Sequence, residues 1–275
     1  CASVGTTTSY KGQSWYTVSN DGTTCELILN DTVGSGAYSD ATGTDNPTYS
    51  TIKSYEDSGG TLELEMENNL IPKGSIDLVG FGRLGLRTGI NLIQIHRGGP
   101  SKITVFDGQK ISESDIIFLL KGAKAGTYKS DFLKELSTHP KDFREVVSIT
   151  EDISDDNIDL ITGDVVVIEI AGGNTIPTAA KIIKKAHENG SKTIGTAGIF
   201  GIGDEEIVVK DISEFDNSNP AIEELRKEGI EKDHLIISTN RFIRDAIPIT
   251  PYVLDDIANI ITKEALKLLI QKNNE

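Results

Sequence analysis

A short apolar run closed by three spaced glycines constrains this chain more than any other feature. Ile76-Asp77-Leu78-Val79 leads into Gly80-Phe81-Gly82-Arg83-Leu84-Gly85, and a helix-forming segment follows from Leu84 to Ile95. Strand, glycine turn and helix in that order open a nucleotide-binding α/β domain. Each glycine has its own physical task. Gly80 permits the tight turn, Gly82 lets the backbone approach a phosphate, and Gly85 lets helix and strand pack closely. The helix N-terminus then offers unpaired N–H groups and a positive dipole end to an anion.

From Met66 onward the pattern alternates between strands and helices. Apolar runs predict strands at Ile76–Gly80, Ile103–Asp107, Glu145–Thr150, Asp164–Ala171, Lys192–Thr196, Glu206–Lys210 and His234–Thr239. Helical spacing predicts helices at Lys129–Leu136, Ile176–Glu188, Pro220–Glu228 and Leu254–Gln271. In Ile176–Glu188, for example, Ile176, Ala179, Ala180, Ile183 and Ala186 share one face. Such alternation implies an α/β, Rossmann-like domain, a mostly parallel sheet with helices on both faces. The acidic stretch Asp152–Asp159 reads as a solvated loop or short helix.

Residues 1–65 differ from the rest. They are rich in Thr, Ser and Gly, hold Trp15 and five of the seven tyrosines, and contain no Arg or His. Ser14–Val18 and Thr24–Leu29 read as strands joined by a turn at Asn20-Asp21-Gly22. Residues 1–65 are therefore expected to form a small β-rich segment, and 66–275 the nucleotide-binding domain. Met66 is the only methionine, and it marks the change in composition. It suggests that the enzyme proper starts there and that the preceding segment is a fused addition; a natural β-rich binding module is the alternative. Cys1 and Cys25 are the only cysteines. They could form a disulfide or remain two free thiols, and the core offers no thiol nucleophile or CxxC zinc site.

The formal net charge of −15 argues against nucleic acid as a partner, because phosphate binding needs a basic footprint. No apolar run reaches the roughly eighteen residues of a membrane helix, and no signal-peptide pattern opens the chain. A cytoplasmic enzyme is the expectation. His96, His139, His187 and His234 lack ligand spacing, so no protein metal centre is expected.

Asp107 ends the second predicted core strand, 22 residues beyond Gly85, where a carboxylate can accept hydrogen bonds from ribose hydroxyls. An NAD(P)-dependent oxidoreductase would share both features. A non-catalytic nucleotide-binding protein would share them as well. The core lacks a Tyr-x-x-x-Lys arrangement or an evident catalytic histidine. The residues that follow, Gly108-Gln109-Lys110-Ile111-Ser112-Glu113-Ser114-Asp115 and then Gly126-Thr127-Tyr128-Lys129, resemble the ThiF/MoeB/HesA superfamily of ATP-dependent adenylating enzymes. Members carry a ribose-binding aspartate, a loop of pattern S-N-L-x-R-Q and a G-x-x-K opening a helix. The likeness spans nearly all of 66–275, including a last helix after Thr250-Pro251.

Parts of the family pattern are altered. Asp115, Phe118 and Leu119 stand at the loop's asparagine, arginine and glutamine. The D-x-x-D-N segment falls near Glu169-Ile170-Ala171-Gly172-Gly173-Asn174, leaving glycine where the metal-holding acid belongs. The zinc-binding and catalytic cysteines of many members are absent. His96-Arg97-Gly98-Gly99-Pro100, Val105-Phe106-Asp107-Gly108 and Ile199-Phe200-Gly201-Ile202-Gly203 are similar to the ThiF-like, Hmd co-occurring family of methanogen proteins. That resemblance implies adenylation of the carboxylate of guanylylpyridinol, a precursor of the iron-guanylylpyridinol cofactor of Fe-hydrogenase. It also implies ATP with magnesium, a homodimer, and a thiol-bearing protein as a potential acyl acceptor.

The residues expected to bind ATP are Gly80, Gly82, Gly85, Asp107, Gly108, Lys129 and Gly172. Lys129, Arg83 and Arg87 are expected to offset charge on the phosphates, with Arg97, Arg241 and Arg244 as candidates for a substrate phosphate or a neighbouring subunit. Asp115, Asn174 and Asp204 are the candidates for contact with magnesium. Asp107 and Lys129 are expected to be partly solvated.

Overall fold

The computed structural model describes residues 7–10, 13–20, 25–29, 71–137, 143–170 and 172–274. The chain divides into two compact units, Cys1–Leu70 and Ile71–Glu275. In the first, β1 (Thr7–Tyr10), β2 (Gln13–Asn20) and β3 (Cys25–Leu29) form an antiparallel sheet in that order. Trp15 of β2 lies opposite Thr8 and Leu29 and is buried. The short strand β1 has no apolar alternation to announce it and is held by its backbone pairing with β2. The predicted turn at Asp21-Gly22, the partner thiol Cys1 and the start at Met66 lie outside the described residues.

The second unit is built on seven strands. They are β4 (Ser75–Val79), β5 (Lys102–Phe106), β6 (Glu145–Ile149), β7 (Val165–Ile168), β8 (Lys192–Thr196), β9 (Val208–Asp211) and β10 (His234–Ser238). Their order across the sheet is β6-β5-β4-β7-β8-β10-β9, all parallel except β9, which runs antiparallel to β10 at the edge. The helices are α1 (Arg83–Ile93), α2 (Ile116–Leu120), α3 (Lys129–Leu136), α4 (Ile176–Glu188), α5 (Pro220–Lys227) and α6 (Pro251–Asn274). All the core strands and helices expected from the alternation are present. Helix α2 was not expected; it forms where the family pattern implied a binding loop.

The period of two along each strand sends side chains to two cores. Ile76, Leu78, Val165 and Val167 pack with Leu84, Leu86, Ile257 and Ile261 of α1 and α6. Val79, Val166, Ile168 and Ile236 pack on the other face with Ala180, Ile183, Ile222 and Leu225 of α4 and α5. Among the described residues no helix is long and apolar enough to cross a membrane.

This topology fixes where a ligand can enter. From central β4 the chain moves outward to β5 and β6, then returns to place β7 on the other side of β4. The loops after β4 and β7 therefore leave in opposite directions and open a crevice at the C-terminal edge of the sheet. At the opposite edge, Arg144 precedes β6 and is almost wholly buried. Its guanidinium donates to the carbonyl oxygens of Pro100, Ile93, Ile95 and Gly98 at 2.8–3.2 Å. The loop His96-Arg97-Gly98-Gly99-Pro100 is wrapped around that side chain. Arg97 is thus carried at the end of the sheet away from the glycine turn, and is not brought to the crevice of its own chain.

Candidate nucleotide-binding site

The glycine turn follows β4 directly, and its three glycines have distinct surroundings. Gly80 has φ of +93°, and a Cβ there would lie 2.8 Å from the backbone of Glu169 and Ile170. Gly85 on α1 is equally restricted, since a Cβ would come within 2.3 Å of the Gly80 carbonyl oxygen. At Gly82 no atom lies within 4 Å of the corresponding point. The turn is therefore closed against the sheet and open outward. Gly82 caps α1 without any side-chain hydrogen bond, so the helix's first N–H groups face that open side.

Asp107 ties the next strand to this turn. Its Oδ2 accepts the Phe81 N–H at 2.7 Å and its Oδ1 the Gln109 N–H at 2.8 Å. Only 7% of the residue is exposed, which corrects the expectation of a partly solvated group. Burial pushes its carboxyl above the ordinary aspartate range, against the two N–H bonds and the charge of Lys129. The strand-end position was legible in the sequence. The bond back to Phe81 was not, because it joins residues brought together only by the pairing of β4 with β5.

Lys129 opens α3 and is also 7% exposed. Its Nζ donates to Gln109 Oε1 at 2.9 Å and stands 3.4 Å from Asp115 Oδ1. The ammonium also lies over the Phe118 ring, 5.8 Å from its centre. The backbone of α3 is anchored to the strand end, with Lys129 N–H bonded to Gln109 O and the Ser130 hydroxyl to Asp107 O. Asp107, Gln109 and Lys129 thus form one connected group. Burial would raise the carboxyl of Asp115, but the Ser112 N–H and hydroxyl and the Lys129 charge outweigh it and hold it low.

The remaining predicted residues are placed less uniformly. Arg83 is exposed on the first residue of α1. Arg87, one turn on, pairs with Asp255 of α6 and donates to the Arg83 carbonyl. Gly108 gives its N–H to Asp152 Oδ1 at 2.9 Å, so that donor is already used. Gly172 is exposed, with φ of +112°, and its carbonyl accepts from Thr175. Arg241 and Arg244 stand on the loop beyond β10, which pairs with the loop beyond β8 at Ile199–Arg241 and Gly201–Ile249.

Magnesium finds little protein support. Among the described residues no group of three His, Cys, Asp or Glu side chains could hold a metal ion. Asp115 is committed to Ser112 and Lys129, and Asn174 and Asp204 are exposed singly.

Glu169, the residue after β7, was singled out only as part of the altered D-x-x-D-N segment. It lies behind the glycine turn, its N–H bonded to Val79 O at 2.7 Å. One carboxyl oxygen accepts the Thr88 hydroxyl of α1 at 2.7 Å, and the other, buried, has no partner. Burial raises this carboxyl to about 8, against the Thr88 bond. The signal available was an acid directly after the apolar run Val165–Ile168, at the strand flanking the first.

No protein-family model matches the chain. Its fold is shared with the E. coli tRNA N6-threonylcarbamoyladenosine dehydratase TcdA, in a structure with AMP, at 20% identity and a TM-score of 0.64, covering 79% of this chain and 95% of that one. Fold, glycine turn, strand-end acid and helix-opening lysine define a Rossmann-like α/β protein with a candidate nucleotide-binding site. One particular relative is HcgE of Methanothermobacter marburgensis, in a structure bound to guanylylpyridinol and ATP. It is 50% identical over 73% of this chain and 97% of its own, with a TM-score of 0.70. The chain belongs to the HcgE family. An uncharacterized protein of Methanocaldococcus jannaschii, MJ0693, is 45% identical over 208 residues, covering 76% of this chain and 82% of its own.

Proposed function

We propose that this chain adenylates the carboxylate of guanylylpyridinol with ATP, in the biosynthesis of the iron-guanylylpyridinol cofactor of Fe-hydrogenase in a methanogen. The observation that carries the reading is the 50% identity to an HcgE that holds both guanylylpyridinol and ATP. In the reaction a carboxylate oxygen attacks the α-phosphate of ATP, pyrophosphate leaves and an acyl-adenylate remains. The protein's part is to position the reactants and to offset charge on the phosphates.

The glycine turn and the first N–H groups of α1 receive the phosphates. Asp107 takes the ribose: each of its oxygens is engaged once and can accept a second donor. Lys129 has three donors, of which Gln109 and Asp115 engage two, leaving one for a phosphate oxygen. Arg83 supplies further positive charge at the helix start, with Arg87 behind it on the same helix. Gly108 and Gly172 border the nucleotide through their backbone. Arg241 and Arg244, on the loop beyond β10, are the proposed partners of the phosphate of the guanylyl group. Magnesium accompanies ATP without a dedicated protein cage. The working form is a cytoplasmic homodimer.

Residues 66–275 contain no cysteine, so an acyl group passed on to sulfur requires a partner protein that brings the thiol. The test is pyrophosphate release on adding guanylylpyridinol to enzyme, ATP and magnesium. Release that depends on guanylylpyridinol is the expected result. ATP binding without such release would leave a nucleotide-binding protein, and preference for NAD over ATP would favour the oxidoreductase.

A further inference from the structure

Glu169 occupies a position where a charge has large consequences. Its carboxyl lies behind the turn, with Oε2 3.3 Å from the point a Cβ on Gly85 would occupy. That oxygen is buried and bonded to nothing, while Oε1 is held by Thr88. Thr88 belongs to α1, the helix whose N-terminus borders the open face of the turn. The charged or titratable groups on the surrounding elements are Asp77 on β4, Asp107 after β5, Arg83 and Arg87 on α1, Lys192 at the far end of β8, and Asp255, Asp256, Lys263, Glu264, Lys267 and Lys272 on α6. Burial dominates the ionisation of Glu169, and the Thr88 bond opposes it.

We propose that Glu169 is a positioning residue of the glycine turn, and that the turn accepts a polyphosphate while this carboxyl is uncharged and loses it when the carboxyl ionises. The proposal rests on the reading that this turn receives the phosphates of ATP. A neutral carboxyl adds no field to the helix N-terminus, whereas an ionised one sets an unpaired negative charge behind the anion in a medium that screens poorly. Among the described residues no cation is paired with the carboxyl to cancel it. An ionised Glu169 would also draw the polar N–H groups of the turn inward, away from the ligand.

The wild-type chain should therefore bind ATP with constant affinity from pH 7 to about 8, the point at which the carboxyl ionises. Above it, apparent affinity should fall about tenfold per pH unit, in proportion to the neutral fraction. In Glu169→Gln the affinity should no longer change between pH 7 and 9.5. Thr88→Val removes the bond that favours the ionised form, so the break should move to higher pH; a merely structural threonine would not shift it. ATP titrations of the full-length chain by calorimetry across this range give all three curves. A wild-type affinity that is flat with pH, or a Glu169→Gln chain that keeps the break, would overturn the proposal. ATP binding at no pH would overturn it together with the nucleotide reading, whereas flat binding without the break overturns it alone. If Glu169→Gln does not fold, the wild-type and Thr88→Val curves decide.

Discussion

Where the strands of the parallel sheet begin, Arg144 donates to four carbonyl oxygens, and His234 and His187 meet the same Thr193 hydroxyl at 2.9 and 3.0 Å. Where the strands end, Glu169 has one oxygen on Thr88 and the other on nothing, and Gly82 faces empty space. Both edges bury polar groups, and burial is costly unless partners are found. At the first edge the groups named find their partners inside the fold, so they serve stability. At the second the turn keeps donors and an unpaired acid, which is the state of a surface awaiting a ligand. Neighbouring residues on one strand divide the same way. Asp77 of β4 accepts the Thr162 and Gly163 N–H groups, while Gly80, just beyond the same strand, opens the turn.

The largest effect that would test this contrast is expected at Arg144. Arg144→Met removes the guanidinium's hydrogen bonds to four carbonyls, two of them buried, and should cost on the order of 4 kcal/mol in stability. Urea unfolding measures the loss. ATP affinity of the molecules that remain folded should be unchanged, and a selective loss of ATP binding would dissolve the distinction between the edges. Asp107→Ala should act on both properties. It should weaken ATP binding by about 1.5–3 kcal/mol, and it should also lower stability, since the Phe81 and Gln109 N–H groups lose their acceptor. Titration with ATP beside urea unfolding separates the two; wild-type affinity would remove Asp107 from the site.

Two of the buried titratable groups, His234 and Glu169, give the edges opposite pH signatures. His234 is held down to about 3 by burial first and by the charge of His187 next. Its contribution to stability is present above the unfolded value of about 6.5 and is lost as pH falls toward 3. Glu169 has the reverse sign: its contribution is present below about 4.5 and is lost as pH rises toward 8. Each should bend the stability curve by up to about 1.4 kcal/mol per pH unit within its window. His234→Gln should flatten the acid side and Glu169→Gln the alkaline side, in urea midpoints taken from pH 5 to 9. Parallel profiles for both variants and the wild type would contradict the assignment.

The smallest difference is expected between two arginines of α1. Arg83 is exposed and makes no ion pair among the described residues, whereas Arg87 is tied to Asp255. Arg83→Ala should weaken ATP binding more than Arg87→Ala, with stability changes of about 0–1 kcal/mol in both. Equal affinities in the two variants would leave the phosphates to the backbone and Lys129.

The sequence by itself determined the sheet, the helices that cover it and the glycine turn, because these depend on local spacing. Period two places Ile76 and Leu78 on one face; helical spacing gathers Ile176, Ala180 and Ile183; glycine alone tolerates the contacts at Gly80 and Gly85. It also marked Asp107 and Lys129, whose positions at a strand end and a helix start follow from the same local rules. Tertiary structure decided which charges would be buried and which would be paired. Phe81 meets Asp107 across 26 residues, Thr88 meets Glu169 across 81, and Gly163 meets Asp77 across 86. Helix α2 and the Arg144 cluster belong to the same class. Each depends on distant segments converging at one edge of the sheet, and the free energy of a buried charge is set by what converges on it rather than by its neighbours along the chain.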